Sequence, residues 1–169
     1  MTTENISYGS WTSMTVTNLQ SLANDSSDVY AGWQSARVDN QTSVKAIDFE
    51  VQILLSTAAT APAGTQNVYV YVVPWIYDGS TWTPAANFGT TTRPTGSEAT
   101  ANMSDPNSMK GPLAIPYKIT SQPLDGYLTL AGMCGQCPDG WSLAIRNDTG
   151  AALGTGCVVA YRAITYTNA

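Results

Sequence analysis

The chain contains no histidine and few charges of either sign: seven Lys and Arg and twelve Asp and Glu, 11% of 169 residues. Without an imidazole it lacks the commonest general base and the commonest metal ligand, which excludes Ser-His-Asp and Cys-His nucleophilic chemistry. The basic residues Arg37, Lys45, Arg93, Lys110, Lys118, Arg146 and Arg162 stand singly, and the net charge of -5 has the wrong sign for a nucleic-acid partner. No apolar run approaches the ~20 residues of a membrane-spanning helix, so no membrane partner is expected. The opening residues Met1 to Ser7 have neither the basic nor the apolar stretch of a secretory signal, which predicts synthesis in a cytoplasm.

Cysteine is also scarce. Cys134-Gly135-Gln136-Cys137 has the spacing of half a zinc site or of a redox pair, with Cys157 as the third thiol. Zinc needs four ligands, more than three thiols supply, and a redox pair expects a βαβ setting that is missing here. The expectation is three thiols in or near a β core, a turn at Gly135, and neither metal nor cofactor. Most Asp residues sit in turn contexts such as Asp78-Gly79, Asp125-Gly126 and Asp139-Gly140, and no Asp-x-Asp-x-Asp-Gly calcium loop is present.

What remains is uncharged polarity and bulk. Threonine occurs 22 times, hydrophobic residues make up 43%, and there are five Trp and nine Tyr. β-Branched and aromatic residues fit a pleated, half-wet surface, so the composition leans to an all-β protein with a packed core. The length suits one domain, able to bury about 68–70% of its unfolded surface.

Strand signals recur from end to end. Ile47, Phe49, Val51, Ile53 and Leu55 alternate with mostly polar neighbours at period two. Val68 to Val73 is apolar on both faces, so each face needs a cover, from protein or a partner. Pro74 interrupts that run and predicts a bend or a sheet edge. Trp75-Ile76-Tyr77, the turn Asp78-Gly79-Ser80 and Thr81-Trp82-Thr83 read as a hairpin. Ala114 to Ile119, Gly126 to Leu130, Gly140 to Arg146 and Gly156 to Tyr166 follow, with weaker candidates at Trp11 to Val16 and Gly32 to Val38. Asn18 to Asp28 can hold a helical turn through Leu19, Leu22 and Ala23. Eight or nine strands predict an antiparallel β-sandwich, most simply an eight-stranded jelly roll, with an up-and-down barrel or another sandwich topology as alternatives.

Two segments depart from this rhythm. Residues 1–10 read as a polar N-terminal arm ahead of a single β-sandwich domain over 11–169. Residues 84–112 read as a long loop, a length that in a compact domain usually serves function. Their apolar points, together with the first aromatic of the domain, are the candidate partner contacts: Ile6, Tyr8, Trp11, Phe88, Met103 and Met109.

Two chemical constellations compete with pure assembly. Asp48 and Glu50 lie on one face of a strand about 7 Å apart, and a carboxylate pair is all that glycoside hydrolysis needs, although a solvated outer face explains them more simply. Trp33, Trp75, Tyr77, Trp82 and Trp141 offer a carbohydrate-stacking platform near the Asp78-Gly79 turn, though such aromatics more often bury in a core.

The segments Ala31 to Asn40, Tyr69 to Trp75 and Pro138 to Leu143, in a His-free, Thr-rich β chain, resemble stretches of jelly-roll capsid decoration, or cement, proteins of tailed bacteriophages. The likeness covers about Trp11 to Ala169 and brings no catalytic or ligand motif with it. It implies a non-enzymatic virion protein on the capsid exterior, a homo-oligomer, trimeric by preference, that binds the major capsid protein and is made in the host cytoplasm. A carbohydrate-binding β-sandwich of a phage tail or receptor-binding structure is the alternative.

Overall fold

The computed structural model describes residues 4–25, 30–42, 45–57, 67–89, 92–104, 109–117 and 123–168. Among the described residues, twelve strands and one short helix follow in order: β1 (Glu4–Tyr8), β2 (Thr12–Ser13), β3 (Ala31–Gln34), β4 (Val38–Asp39), β5 (Asp48–Leu55), β6 (Asn67–Tyr77), β7 (Trp82–Pro84), β8 (Ala99–Asn102), β9 (Lys110–Pro116), β10 (Leu124–Thr129), α1 (Leu130–Cys134), β11 (Gly140–Asp148) and β12 (Val158–Asn168). Of the expected segments, residues 1–3, 26–28, 90–91, 105–108 and 118–119 lie outside the described residues.

All pairings are antiparallel and fall into two sheets. Sheet A runs β1-β12-β5-β10, with β2 also on β12; sheet B runs β7-β6-β11-β3-β8, with β4 on β11 and β9 on β6. Counting β1 with β2 and β3 with β4 as single segments and setting aside the short β7 and β8, the first (β1/β2) pairs with the eighth (β12), the second (β3/β4) with the seventh (β11), the third (β5) with the sixth (β10), and the fourth (β6) with the fifth (β9). A long hairpin rolled up in this way is the eight-stranded jelly roll.

The clearest period-two segment became β5, with Phe49, Val51, Ile53 and Leu55 buried between the sheets. The doubly apolar run became β6, which continues through Pro74 without a break in its pairing to β11. The Pro74 carbonyl accepts from Ala85 N at 2.8 Å, so its absent N–H faces the same edge, in the gap between the β9 ladder, which ends at Val72, and the β7 ladder, which starts at Trp75. A proline costs no ladder bond there. Val16 to Leu22 makes only hydrogen-bonded turns, which bury Leu19 and Leu22 in the core. α1 falls instead after β10, where Thr129 Oγ1 accepts from Gly132 N and Gly135, at φ 80°, closes the C-terminus.

β6 divides its apolar side chains between two cores. Val68, Val70 and Val72 join Trp33, Phe49, Trp141 and Ile145 between the sheets. Tyr71, Val73 and Trp75 point to the outer face of sheet B, where Ala86, Phe88, Met103 and Met109 cover them. Both faces of the run are therefore covered by the chain itself, and the cover is the segment 84–112, which holds β8 and the start of β9 rather than a structureless loop. Gly32 makes room for it, since a Cβ there would lie 2.6 Å from the Met103 thioether. Glu98 pins it, with Oε1 accepting from Trp33 Nε1 and Asn18 N at 2.7 Å and Oε2 from Asn18 Nδ2 at 2.6 Å.

Candidate functional site

Strand alternation decides what the outer face of sheet A presents. On β12, Val159, Tyr161 and Ala163 turn inward, while Val158, Ala160, Arg162, Ile164 and Tyr166 turn outward beside Leu54, Gln52, Glu50 and Asp48 of β5. β1 sets Ile6 opposite Tyr166 and Tyr8 opposite Ile164, and β10 sets Tyr127 opposite Gln52. The expected N-terminal arm is thus an edge strand of the sheet over its described residues. Between β1 and β2, Gly9 N bonds Ala163 O at 2.9 Å and Thr12 pairs with Tyr161, leaving Ser10 and Trp11 opposite the one residue Arg162. This extra residue is a bulge, and it puts Trp11 beside that guanidinium.

Arg162 is the centre of the face. Its guanidinium carbon lies 4.8 Å from the Tyr8 ring centroid and 4.9 Å from that of Trp11. Its Nε donates to Glu50 Oε2, and the Tyr127 hydroxyl donates to Glu50 Oε1 at 2.6 Å. These two bonds, the tyrosine's first, hold the Glu50 carboxyl below its ordinary range, while the bond to Glu50 pushes the Tyr127 phenol up to about 12. Each cation–π contact is worth about 0.5–1 kcal/mol at an exposed site, enough to orient the rings. Around this neutralised pair, Ile6, Tyr8, Trp11, Tyr127, Val158 and Tyr166 are each between 43% and 58% exposed.

Of the six expected partner contacts, Ile6, Tyr8 and Trp11 meet on this face. Phe88, Met103 and Met109 do not: the first two are fully buried and the third is 6% exposed, packed on Tyr71, Val73 and Trp75. An apolar side chain in a long segment is as readily a plug for the chain's own sheet, and the doubly apolar β6 required one. Tyr127, Val158, Tyr166 and Arg162 were missed. For the three on β12 the signal lies in the alternation of 158–166, and for Tyr127 in that of 124–128, but only the strand pairing shows which alternate set lacks a cover.

The sugar platform dissolves. Trp33, Trp75 and Trp141 are core residues, and Trp75 Nε1 donates to Ser142 Oγ at 3.0 Å. Tyr77 and Trp82 do stack, at 4.7 Å, yet Arg37 lies 4.4 Å over Trp82, and a Cβ on Gly140 would fall 2.6 Å from that indole. Asp48 and Glu50 do face the same way, but Asp48 Oδ1 accepts from Phe49 N and Ala131 N, both at 2.8 Å, and Glu50 is committed to Arg162 and Tyr127. Burial pushes the Cys134 thiol up to about 11 and the Cys137 thiol to about 12, and raises Cys157, so all three resist forming a nucleophilic thiolate. A cleft of about 490 Å³ between residues 17–23 and strands β3 and β8 has no titratable side chain in its lining.

No family model matches the chain, and no curated protein matches it. Among solved structures, the infectious bursal disease virus VP2 subviral particle is similar over 98% of this chain and 41% of that chain, at 12% identity and a TM-score of 0.21. The structure of the infectious bursal disease virus Gt strain is similar over 100% of this chain and 40% of that one, at 14% identity and a TM-score of 0.16. The chain spans about two fifths of the length of either, and superpositions this loose carry no functional argument.

Proposed function

We propose that the protein is a non-enzymatic virion component, a capsid decoration protein that sits on the outside of a phage shell and binds the major capsid protein through the outer face of sheet A. The observation that carries this reading is the asymmetry between the two sheets. Sheet B is covered by the chain's own segment 84–112, whereas sheet A leaves an aromatic face around Arg162 and Glu50 with nothing described over it. Rigid tyrosine and tryptophan side chains beside an arginine are the composition of interface hot spots, and the pairing of Arg162 with Glu50 cancels the charge at the centre of the face, which lowers the cost of removing water there. The likeness of Ala31 to Asn40, Tyr69 to Trp75 and Pro138 to Leu143 to cement proteins supports the same reading. A protein that binds the assembled shell and not its free subunits stabilises the shell by mass action.

The test is addition of the purified protein to expanded capsids that lack it. Co-sedimentation and a rise in capsid melting temperature are expected. Trp11→Ala should weaken binding by ~30-fold, the effect of losing about 2 kcal/mol at a hot spot, with the protein's own melting little changed. Failure of the wild-type chain to bind any such shell sinks the proposal.

A further inference from the structure

The sheet edges of this protein are guarded unequally. β7 has three residues ending in Pro84, β8 has four, β9 carries Lys110, Pro112 and Pro116, and β10 carries Asp125 and Gly126 in its first half. Short length, proline, lysine and interruptions are the usual devices that stop an edge from adding a foreign strand. β1, Glu-Asn-Ile-Ser-Tyr, is five residues long and has none of them at its centre; its one charge, Glu4, is at its end. It pairs with β12 on one side and is the end strand of sheet A on the other.

We propose that β1 is a self-association strand, which pairs antiparallel with β1 of a second copy of this chain across a two-fold axis through Ile6. The backbone phase supports this register. Gly9 N donates to Ala163 O, so in an antiparallel ladder Gly9, Ser7 and Asn5 direct their N–H and C=O groups to β12, and Glu4, Ile6 and Tyr8 direct theirs to the free edge. A second β1 centred on Ile6 sets Ile6 against Ile6 and Glu4 against Tyr8, each as a hydrogen-bonded pair.

The side chains fit as well. A chain of net charge -5 repels its own copies except where charge is locally cancelled. Here each Glu4 stands opposite the partner copy's Tyr8 and not opposite the partner copy's Glu4, so the one charge on the strand does not meet its like. Ile6 stands opposite Tyr166, so the two-fold joins two Tyr166–Ile6 rows into one apolar line across the junction. Five paired residues bury less than the ~800 Å² per partner of a standard interface, so the dimer is concentration-dependent in solution and strengthens where a surface holds copies side by side. Strand pairing is two-fold, whereas the cement resemblance implies a trimer; the two differ in mass.

Ile6→Cys provides the register test. Directly opposed residues of a hydrogen-bonded pair lie about 5.5 Å apart at Cα, within disulfide reach, while two Tyr8 positions lie about 13 Å apart in the same register. Under mild oxidation Ile6→Cys should give a covalent dimer, and Tyr8→Cys and wild type should remain at background. Sedimentation velocity over rising concentration should show the mass moving from 17.9 kDa towards twice that value. Ile6→Pro should abolish this rise without lowering the melting temperature appreciably, because the N–H it removes faces the free edge. A monomer at every concentration, a trimer, a dimer indifferent to Ile6→Pro, or equal crosslinking by the two cysteine variants would each overturn the proposal. The measurement needs no capsid, so its failure is distinct from failure of the shell-binding reading.

Discussion

Removing the Phe88 ring asks whether residues 84–112 belong to the fold or reach for a partner. The ring is fully buried in the cluster that covers sheet B, against Tyr71, Val73 and Trp75. Phe88→Ala loses about 1.5–3 kcal/mol of transfer free energy, and the cavity left brings the total to about 3–5 kcal/mol. That is about a fifth or more of the ~5–15 kcal/mol that holds a typical domain together. At about 2–4 °C per kcal/mol for a chain of this size, the melting temperature should fall by about 6–20 °C. Urea denaturation followed by tryptophan fluorescence measures the loss directly, with Trp75 inside the affected cluster as a local reporter. Phe88→Leu, which keeps most of the volume, should cost less than about 1.5 kcal/mol. A Phe88→Ala protein within about 1 kcal/mol of wild type, well below the cost of emptying a core site, would refute the assignment of this segment to the core.

Three further outcomes follow from the hydrogen bonds and burial. Glu50→Gln should bring the Tyr127 phenol down from about 12 towards the ordinary ~10, read by alkaline difference absorbance, and an unmoved titration contradicts the bond. Because that pKa is raised by folding, the stability it contributes is whole below pH ~10 and lost as pH rises through about 12. The three thiols, with raised pKa values, should react slowly with a disulfide reagent at pH 8 and faster on unfolding, the half-buried Cys134 and Cys137 ahead of the buried Cys157 in the native state; rapid native labelling of Cys157 contradicts its burial. Glu98→Ala, which leaves Trp33 Nε1 and Asn18 without acceptors, should cost about 1–3 kcal/mol, and a smaller loss by thermal melting means that water replaces the carboxylate.

The sandwich was legible because its long strands carry their own period. β5 alternates, β6 is apolar on both faces, and β11 and β12 repeat these two patterns. The three segments on which the expectation of a cement protein rests lie side by side, in β3 with β4, in β6 and in β11, the middle of sheet B. They therefore speak for the scaffold and not for the contact face. What stayed hidden was pairing between distant parts of the chain. Ile6 and Tyr8 look like a loose arm until β12 is found beside them, and Phe88 looks like a spare anchor until Val73 and Trp75 are found beneath it. A lone apolar residue does not reveal whether its complement lies in its own chain. The carboxylates illustrate the same limit: Asp48 and Glu50 were correctly set on one face, but the Arg162 that neutralises Glu50 comes from 112 residues away.

Of the four nested pairs of the rolled hairpin, β6 with β9 closes the shortest stretch of chain and β1 with β12 the longest, so the β1–β12 pair carries the largest cost of loop closure. The surface made by Tyr8, Trp11 and Arg162 comes into being only when the two ends of the chain have met. A partially rolled molecule has no such surface to offer, and a partner that grips it admits finished molecules and passes over the rest.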